Sequence, residues 1–436
     1  MVLGFRPEQI PLMKALLINQ SYTAGGAARY VRDLHQRLPE QGVQTRVWIA
    51  DEPDQTRAAG VEVLRAPWER RLYPLELLPR WSDWRHRGTI RAFDSLTPGN
   101  AEVVHFNLLS GGWCSLFAAG RLMRRFPSVW MHHDEWAATG GIACLLEGKT
   151  TRAEAMAASP RFNRLLRVSP YHASYKSRSL ARLIDAAGLR PTLHLCPSRH
   201  MARLIESSPR FAGQPVVVIP HGTSLADHPA AEMDRAAARQ ALGLAPDARV
   251  VLMVSVHAHD LHKGFHLAAR ALAATHARTP LHVLILGHGS GDWQARLAPI
   301  PVTAGLARGD DELARAYRAA DVTLIPSLAE SYSYVAIESL ACQRPYVSFD
   351  VGGPGELSAG GRHALLARCF DPLDLAGQLD TLLNDPAQCH ALGMAGRQWV
   401  RQEATLARMT RRTRECYQQA IDARHAAAHG ADAAKV

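Results

Sequence analysis

No stretch of this 436-residue chain approaches the roughly 20 consecutive apolar residues that a membrane-spanning helix needs. No two of its seven cysteines form a C-x-x-C pair, and their odd number argues against a disulfide framework or a structural zinc site. A reducing cytoplasm is therefore the expected compartment, possible attachment to the inner face of a membrane included. Zinc-finger spacing, an aromatic RNA-binding signature and long lysine runs are all missing, so nucleic acid is not an expected partner. The opening MVLGFRPEQIPLM has no basic start, long apolar centre or small-residue cleavage site, so export is not expected. No D-x-D motif stands at an expected strand end in the first half, and no metal site is expected.

What is present is an ordinary globular balance, 47% apolar and 21% charged, over a length that suggests two domains. The formal charge of +10 implies an anionic partner, either nucleotide phosphates or lipid headgroups. Short apolar runs alternate with longer helical patterns throughout, as in doubly wound parallel α/β domains. One series of expected strands comprises residues 14–20, 43–50, 61–67, 102–107, 128–134, 193–198 and 215–222. A second comprises residues 248–256, 281–289, 301–306, 322–327 and 345–350. A polar Ala/Asp/Pro-rich segment at 224–246 separates them, which places a boundary near Gly222 to Ser224. The expected units are residues 1–222 and 223–395, a returning C-terminal helix at 396–424, and a disordered tail at 425–436.

The most informative stretch is PSLAESYSYVAIESLACQRPYVSFDVGGPGE, Pro326 to Glu356. Glu330 and Glu338 stand eight positions apart at an expected helix start, about 12 Å along a helix axis, a reach that matches a nucleotide-sugar. One carboxylate would grip sugar hydroxyls and the other ribose hydroxyls, with the diphosphate between them at the helix N-terminus. Gly25 and Gly26 follow the first strand and open a helix expected through Leu38. Glycine there lets backbone N–H groups approach the diphosphate from the opposite domain, although the pair could also serve only a tight turn. In MHHDEWAATGG, strand alternation points one of His132 and His133 into the sheet packing and the other towards the cleft.

With AADVTLIPS before the glutamate pair, ESLAC-x-x-P after it and the GGPGE turn beyond, the chain resembles the retaining glycosyltransferases of glycosyltransferase family 4, over most of its length. The resemblance implies the GT-B fold, two Rossmann-like domains facing a cleft. It implies donor-sugar contact for Glu330 and ribose contact for Glu338. Ser331, Tyr332, Ser333 and Tyr334 would line the diphosphate where relatives are often glycine-rich. Lys263, in DLHKGF, is similar to the family's phosphate-binding lysine, and His257 or a neighbouring histidine stands where an arginine is usual. His133, in an HD-x-W motif, is implied to touch the donor sugar, oriented or charged by Asp134; His105 and Asn107 are candidates for the acceptor side.

The implied catalytic residues are thus His133, Lys263 and Glu330. The implied reaction is metal-independent transfer, with retention, from a nucleoside-diphosphate sugar to a glycan or lipid-linked saccharide in cell-surface polysaccharide synthesis. No cofactor beyond the donor is implied. Residues 65–93 mix arginines with Trp68, Trp81, Trp84 and Tyr73, a composition suited either to an anionic membrane surface or to a packed surface helix. The competing readings are a GT-B sugar-nucleotide epimerase or phosphorylase, and a catalytically degenerate GT-B module binding glycan or a partner transferase. Ser333, Gln343 and His221 depart from the family pattern in the direction of the last reading.

Overall fold

The computed structural model describes residues 12–23, 25–50, 58–64, 86–110, 112–139 and 192–433. The opening segment, most of the arginine- and tryptophan-rich stretch and the glycines closing the HD-x-W segment lie outside these residues.

Among the described residues, thirteen parallel strands form two sheets. The first contains β1 (Met13–Asn19), β2 (Val43–Ile49), β3 (Val61–Val63), β4 (Val103–Phe106), β5 (Ser128–Met131), β6 (Leu193–Cys196) and β7 (Val216–Val218) in the order β3-β2-β1-β4-β5-β6-β7. The second contains β8 (Arg249–His257), β9 (Leu281–His288), β10 (Val302–Gly305), β11 (Val322–Ile325), β12 (Tyr346–Phe349) and β13 (Ala364–Ala367) in the order β10-β9-β8-β11-β12-β13. This is the doubly wound α/β architecture. Strands β4, β5, β6, β11 and β12 are buried at every position, as parallel strands covered on both faces must be. β13 was not foreseen: ALLA is too short and too helix-favouring to read as a strand without its neighbour β12.

Among the described residues the α-helices of six or more residues, in chain order, are α1 (Gly26–Arg37), α2 (Arg87–Ser95), α3 (Leu116–Arg125), α4 (Arg199–Ser207), α5 (Arg235–Ala241), α6 (Phe265–Ala273), α7 (Asp310–Ala319), α8 (Tyr334–Ala341), α9 (Gly352–Leu357), α10 (Pro372–Asn384), α11 (Pro386–Glu403) and α12 (Leu406–Ala433). Among the described residues no helix is long and apolar enough to cross a membrane.

The chain crosses between the sheets twice, and the crossings touch. Thr223 N donates to Ala404 O at 3.0 Å, and Thr223 bridges Thr405. α12 then packs on the first sheet, where Met409, Cys416, Tyr417 and Ile421 are buried with Leu17, Tyr30, Val31 and Val129. The structure divides the C-terminal region differently from the sequence reading. The returning helix begins at Leu406, after a break at Ala404–Thr405, and residues from His425 continue it to Ala433 where disorder was expected. Alanine-rich composition lacks core-forming residues but propagates an established helix at little cost.

Both sheets reverse their winding next to their first strand, between β1 and β4 and between β8 and β11. That switch point leaves a crevice at the strand carboxyl ends, where ligands of open α/β sheets bind.

Candidate active site

The second-domain half of the site is made by two loops laid across one another. After β8 the chain turns through Leu261–Lys263 into Gly264, whose φ of 69° suits glycine. A β-carbon there would lie 1.8 Å from Pro326 O, so only glycine allows the loop after β8 to rest on the loop after β11. Leu328 N then donates to His262 O at 2.7 Å. The contact brings Lys263 Nζ to 2.6 Å from Glu330 Oε2, with Ser327 Oγ donating to the same oxygen at 3.3 Å. Gly352, at φ 35°, admits the Glu330 carbonyl where a β-carbon would be 2.1 Å away, and Gly353 N donates to that carbonyl at 2.8 Å. The GGPGE turn therefore clamps the Glu330 loop.

Glu330 lies in this loop, ahead of α8, so the helical ruler between the two glutamates does not hold: only Glu338 is helical. Ser333 caps α8, its Oγ accepting from Ala336 N at 3.2 Å. The helix ends at Cys342, and Gln343 follows at φ 58°, a left-handed conformation that explains why glycine is usual there.

The first domain closes against these loops. Ser331 Oγ donates to His133 O at 2.6 Å and Ser198 Oγ donates to Ser331 O at 2.8 Å. Glu356 spans the gap, its two carboxylate oxygens accepting from Arg199 N at 3.0 Å and His200 N at 2.9 Å at the N-terminus of α4. Glu338 is deeply buried, paired with Arg29 of α1 and accepting from Tyr317 OH at 2.8 Å. The Tyr334 ring packs beside this pair: the Arg29 guanidinium is 4.7 Å from its centroid, His221 stacks at 5.3 Å, and Gly26 leaves room for it. Tyr332 OH reaches towards His221 O at 3.4 Å.

Strand alternation separates the two histidines after β5. His132 is buried against Trp130 and stacks on His194, its Nε2 2.9 Å from His194 Nδ1. His133 faces the crevice, next to Tyr30 at 5.1 Å and His221 at 5.4 Å. Burial lowers the His133 pKa to about 3, so the ring is a neutral imidazole at physiological pH. Its orienting partner is Asn107, with Nε2 3.1 Å from Oδ1. The Asp134 carboxylate instead accepts from Ser110 Oγ at 2.6 Å and Trp136 N at 3.2 Å. The expectation that Asp134 charges His133 is corrected accordingly.

Two further positions differ from expectation. His105 is fully buried with Nδ1 2.8 Å from Tyr417 OH, tying α12 to the first sheet instead of lining an acceptor pocket. His257 is exposed at the end of β8, where its ring neighbours His288 at 5.4 Å. Gly25 precedes α1 at φ 88°, and its carbonyl accepts from Arg29 N at 3.0 Å. Contacts thus join Lys263 to Glu330, Ser331 to the His133 carbonyl, and Tyr334 to Gly26 and to Arg29, the partner of Glu338.

Arg29, Tyr317 and Glu356 had not been singled out. Arg29 carried a signal nonetheless, because a cation near the opening turn of a helix works against the macrodipole unless an anion answers it. Burial disfavours its charge, but Glu338 and Tyr334 outweigh that and raise its pKa above the ordinary arginine value. Asp33, one turn on, is pushed by burial up to about 6. Among the described residues no group of three or more His, Cys, Asp or Glu side chains is arranged to hold a metal ion.

Two parallel-sheet domains meeting over a crevice at their switch points, with a lysine–carboxylate pair on one wall and histidine on the other, define a GT-B fold. Models described as "Glycosyltransferase Family 4" and "Glycosyl transferases group 1" match residues 24–227 and 248–385. The D-inositol 3-phosphate glycosyltransferase of Acidothermus cellulolyticus is 30% identical over 387 residues, covering 83% of this chain and 78% of that protein. The chain belongs to glycosyltransferase family 4. The enzyme of the same name from Rhodococcus opacus is 37% identical over 173 residues, so the match spans only 38% of its length. Sucrose-phosphate synthase from Thermosynechococcus elongatus superposes with a TM-score of 0.68 at 21% identity, over 94% of this chain and all of that one. Anabaena Alr3699/HepE in complex with UDP-glucose does so with a TM-score of 0.65 at 17% identity, over 93% of this chain and all of that one. These structural likenesses establish the fold.

Proposed function

We propose that the protein transfers a sugar from a nucleoside-diphosphate sugar to a saccharide hydroxyl with retention of anomeric configuration. The observation that carries this reading is the Lys263–Glu330 pair, held at 2.6 Å by crossed loops at the switch point. Glu330 accepts hydrogen bonds from donor-sugar hydroxyls. Lys263, then shared with the diphosphate, offsets the negative charge that grows on the leaving group. Glu338 holds the ribose hydroxyls once the donor displaces Arg29. Backbone N–H groups at the starts of α1 and α8 face the diphosphate. Neutral His133, whose Nε2–H donates to Asn107 Oδ1, offers Nδ1 to accept a hydrogen bond from a sugar hydroxyl without adding charge.

In the step itself the bond from the anomeric carbon to the diphosphate oxygen breaks, and its electron pair leaves with the diphosphate. The acceptor oxygen bonds to the same face of that carbon, and its proton passes to a diphosphate oxygen. No divalent metal is required. The names of the relatives, and UDP-glucose in the complex of the structural neighbour, support a nucleotide-sugar donor.

The acceptor we favour is a glycan or lipid-linked saccharide of cell-surface polysaccharide, approached from the cytoplasmic membrane face. A phosphorylated inositol is a second reading, favoured by the names of the relatives. A panel of UDP- and GDP-sugars crossed with these acceptors, read by mass spectrometry, tests the proposal. Products of increased mass support it; free sugar or an isomerised donor without acceptor points to the epimerase, and no turnover with any donor to the degenerate module. Sedimentation with phosphatidylglycerol vesicles, before and after Arg70, Arg71, Arg85 and Arg87 are changed to glutamine, tests membrane contact.

A further inference from the structure

The strands that carry the crevice loops at their carboxyl ends close around a second cavity at their amino ends. Arg249 opens β8, Asp321 immediately precedes β11 and Arg344 stands two residues before β12. Together with Arg235, Arg318 and Cys389 they line a space of about 310 Å³, with the first turn of α11 at its rim. Strands of four residues put this cavity roughly 13 Å from the crevice, through the sheet.

Arginines at such a place often only cap helix ends, and here some do. Arg318 donates to Met233 O at 2.7 Å and Cys342 O at 3.1 Å; Arg239, behind the wall, donates to Ala319 O at 3.0 Å and Pro246 O at 2.7 Å. Capping does not account for the charge. Asp321 is the one carboxylate in the lining, and it already pairs with Arg235 and Arg239 and accepts from Val250 N at 2.7 Å. Asp234 and Glu232 act on Arg318 only from outside the wall. Among the described residues the Arg249 side chain has no hydrogen bond or ion pair, and the buried Nε atoms of Arg235 and Arg344 have no partner. Four guanidinium groups thus line the cavity with one carboxylate, with unused donors. Burial first, and then Arg318 and Arg235, lower the Arg344 pKa to about 10, the response of a cation short of counter-charge.

We infer that this cavity binds a small phosphate-bearing anion, at a site separate from the donor crevice. Phosphate or diphosphate suits it because the oxygens of such an anion accept several charge-assisted hydrogen bonds at once and guanidinium forks match their geometry.

Inorganic pyrophosphate is the probe, titrated calorimetrically at constant ionic strength into wild type, Lys263→Ala, Arg249→Gln and Arg344→Gln. Binding should persist in Lys263→Ala, whose change lies in the crevice, and weaken about tenfold or more in Arg249→Gln. Equal affinity in wild type and Arg249→Gln, or loss of all binding in Lys263→Ala, would overturn the inference. Because Arg249 holds no other group, its variant keeps the test decisive if Arg344→Gln fails to fold. Phosphatidylglycerol vesicles form the second arm. Arg249-dependent vesicle binding without pyrophosphate binding would assign the arginines to a membrane surface and also overturn the inference.

Discussion

Arg29 of the first domain and Glu338 of the second form an ion pair across the crevice, with Glu338 also accepting from Tyr317 OH at 2.8 Å. The carboxylate is almost fully withdrawn from water, so each partner leaves the other uncompensated when it is removed. Glu338→Ala should destabilise the fold by about 3–5 kcal/mol, and Tyr317→Phe by about 1–3 kcal/mol. Urea denaturation of the two variants checks both figures. Equal, negligible losses would mean that the pair does not hold the domains together.

Lys263→Ala and Glu330→Ala should each lower kcat by at least about 100-fold, because the lysine opposes charge that develops only as the diphosphate leaves. Both side chains are partly exposed, so the melting temperature should change little. Near-normal turnover in either variant would remove the proposed donor site.

Turnover, once a donor is known, should survive an excess of EDTA. Complete loss that manganese restores would show that a metal, and not Lys263 alone, carries the leaving-group charge.

Gly264→Ala should abolish soluble expression or activity, since its β-carbon would penetrate the Pro326 carbonyl at 1.8 Å and its φ is positive. A folded, active Gly264→Ala protein would show that the crossed loops can separate without consequence.

Stability should fall as the medium is acidified from about pH 6.5. Burial lowers the pKa of His105, His133 and His194 to about 3, while in the unfolded chain each titrates near 6.5. Between those values the unfolded chain binds more protons, so acid favours unfolding, by at most about 1.4 kcal/mol per pH unit for each histidine. Burial also lowers His132 and His221, adding to the same slope, whereas Asp33, raised to about 6, opposes it with a single group. Denaturation midpoints across that range report the slope. A flat profile would mean that these imidazoles are not buried neutral.

Much of the fold was readable because parallel strands covered on both faces must be continuous apolar runs, and VVHF, SVWM and LHLC are such runs. β13 was not, because ALLA is strand only by virtue of β12 beside it. The residues around the crevice were readable where local chemistry marks them: glycine at a turn, lysine before glycine, glutamate after a buried strand. Asn107 as the partner of His133, and Asp134 as the partner of Ser110, were not, because the relevant approach is between chains of residues 24 to 26 positions apart.

The amino-acid order alone determined that this chain winds into two parallel sheets with polar residues at the strand ends, since periodicity and turn chemistry act over a few neighbouring residues. Only the tertiary structure decided which of those residues meet. Arg29 finds Glu338 from 309 positions away, and four arginines line one cavity with a single aspartate. Such encounters depend on how the domains close and how strands align, and no local pattern encodes either.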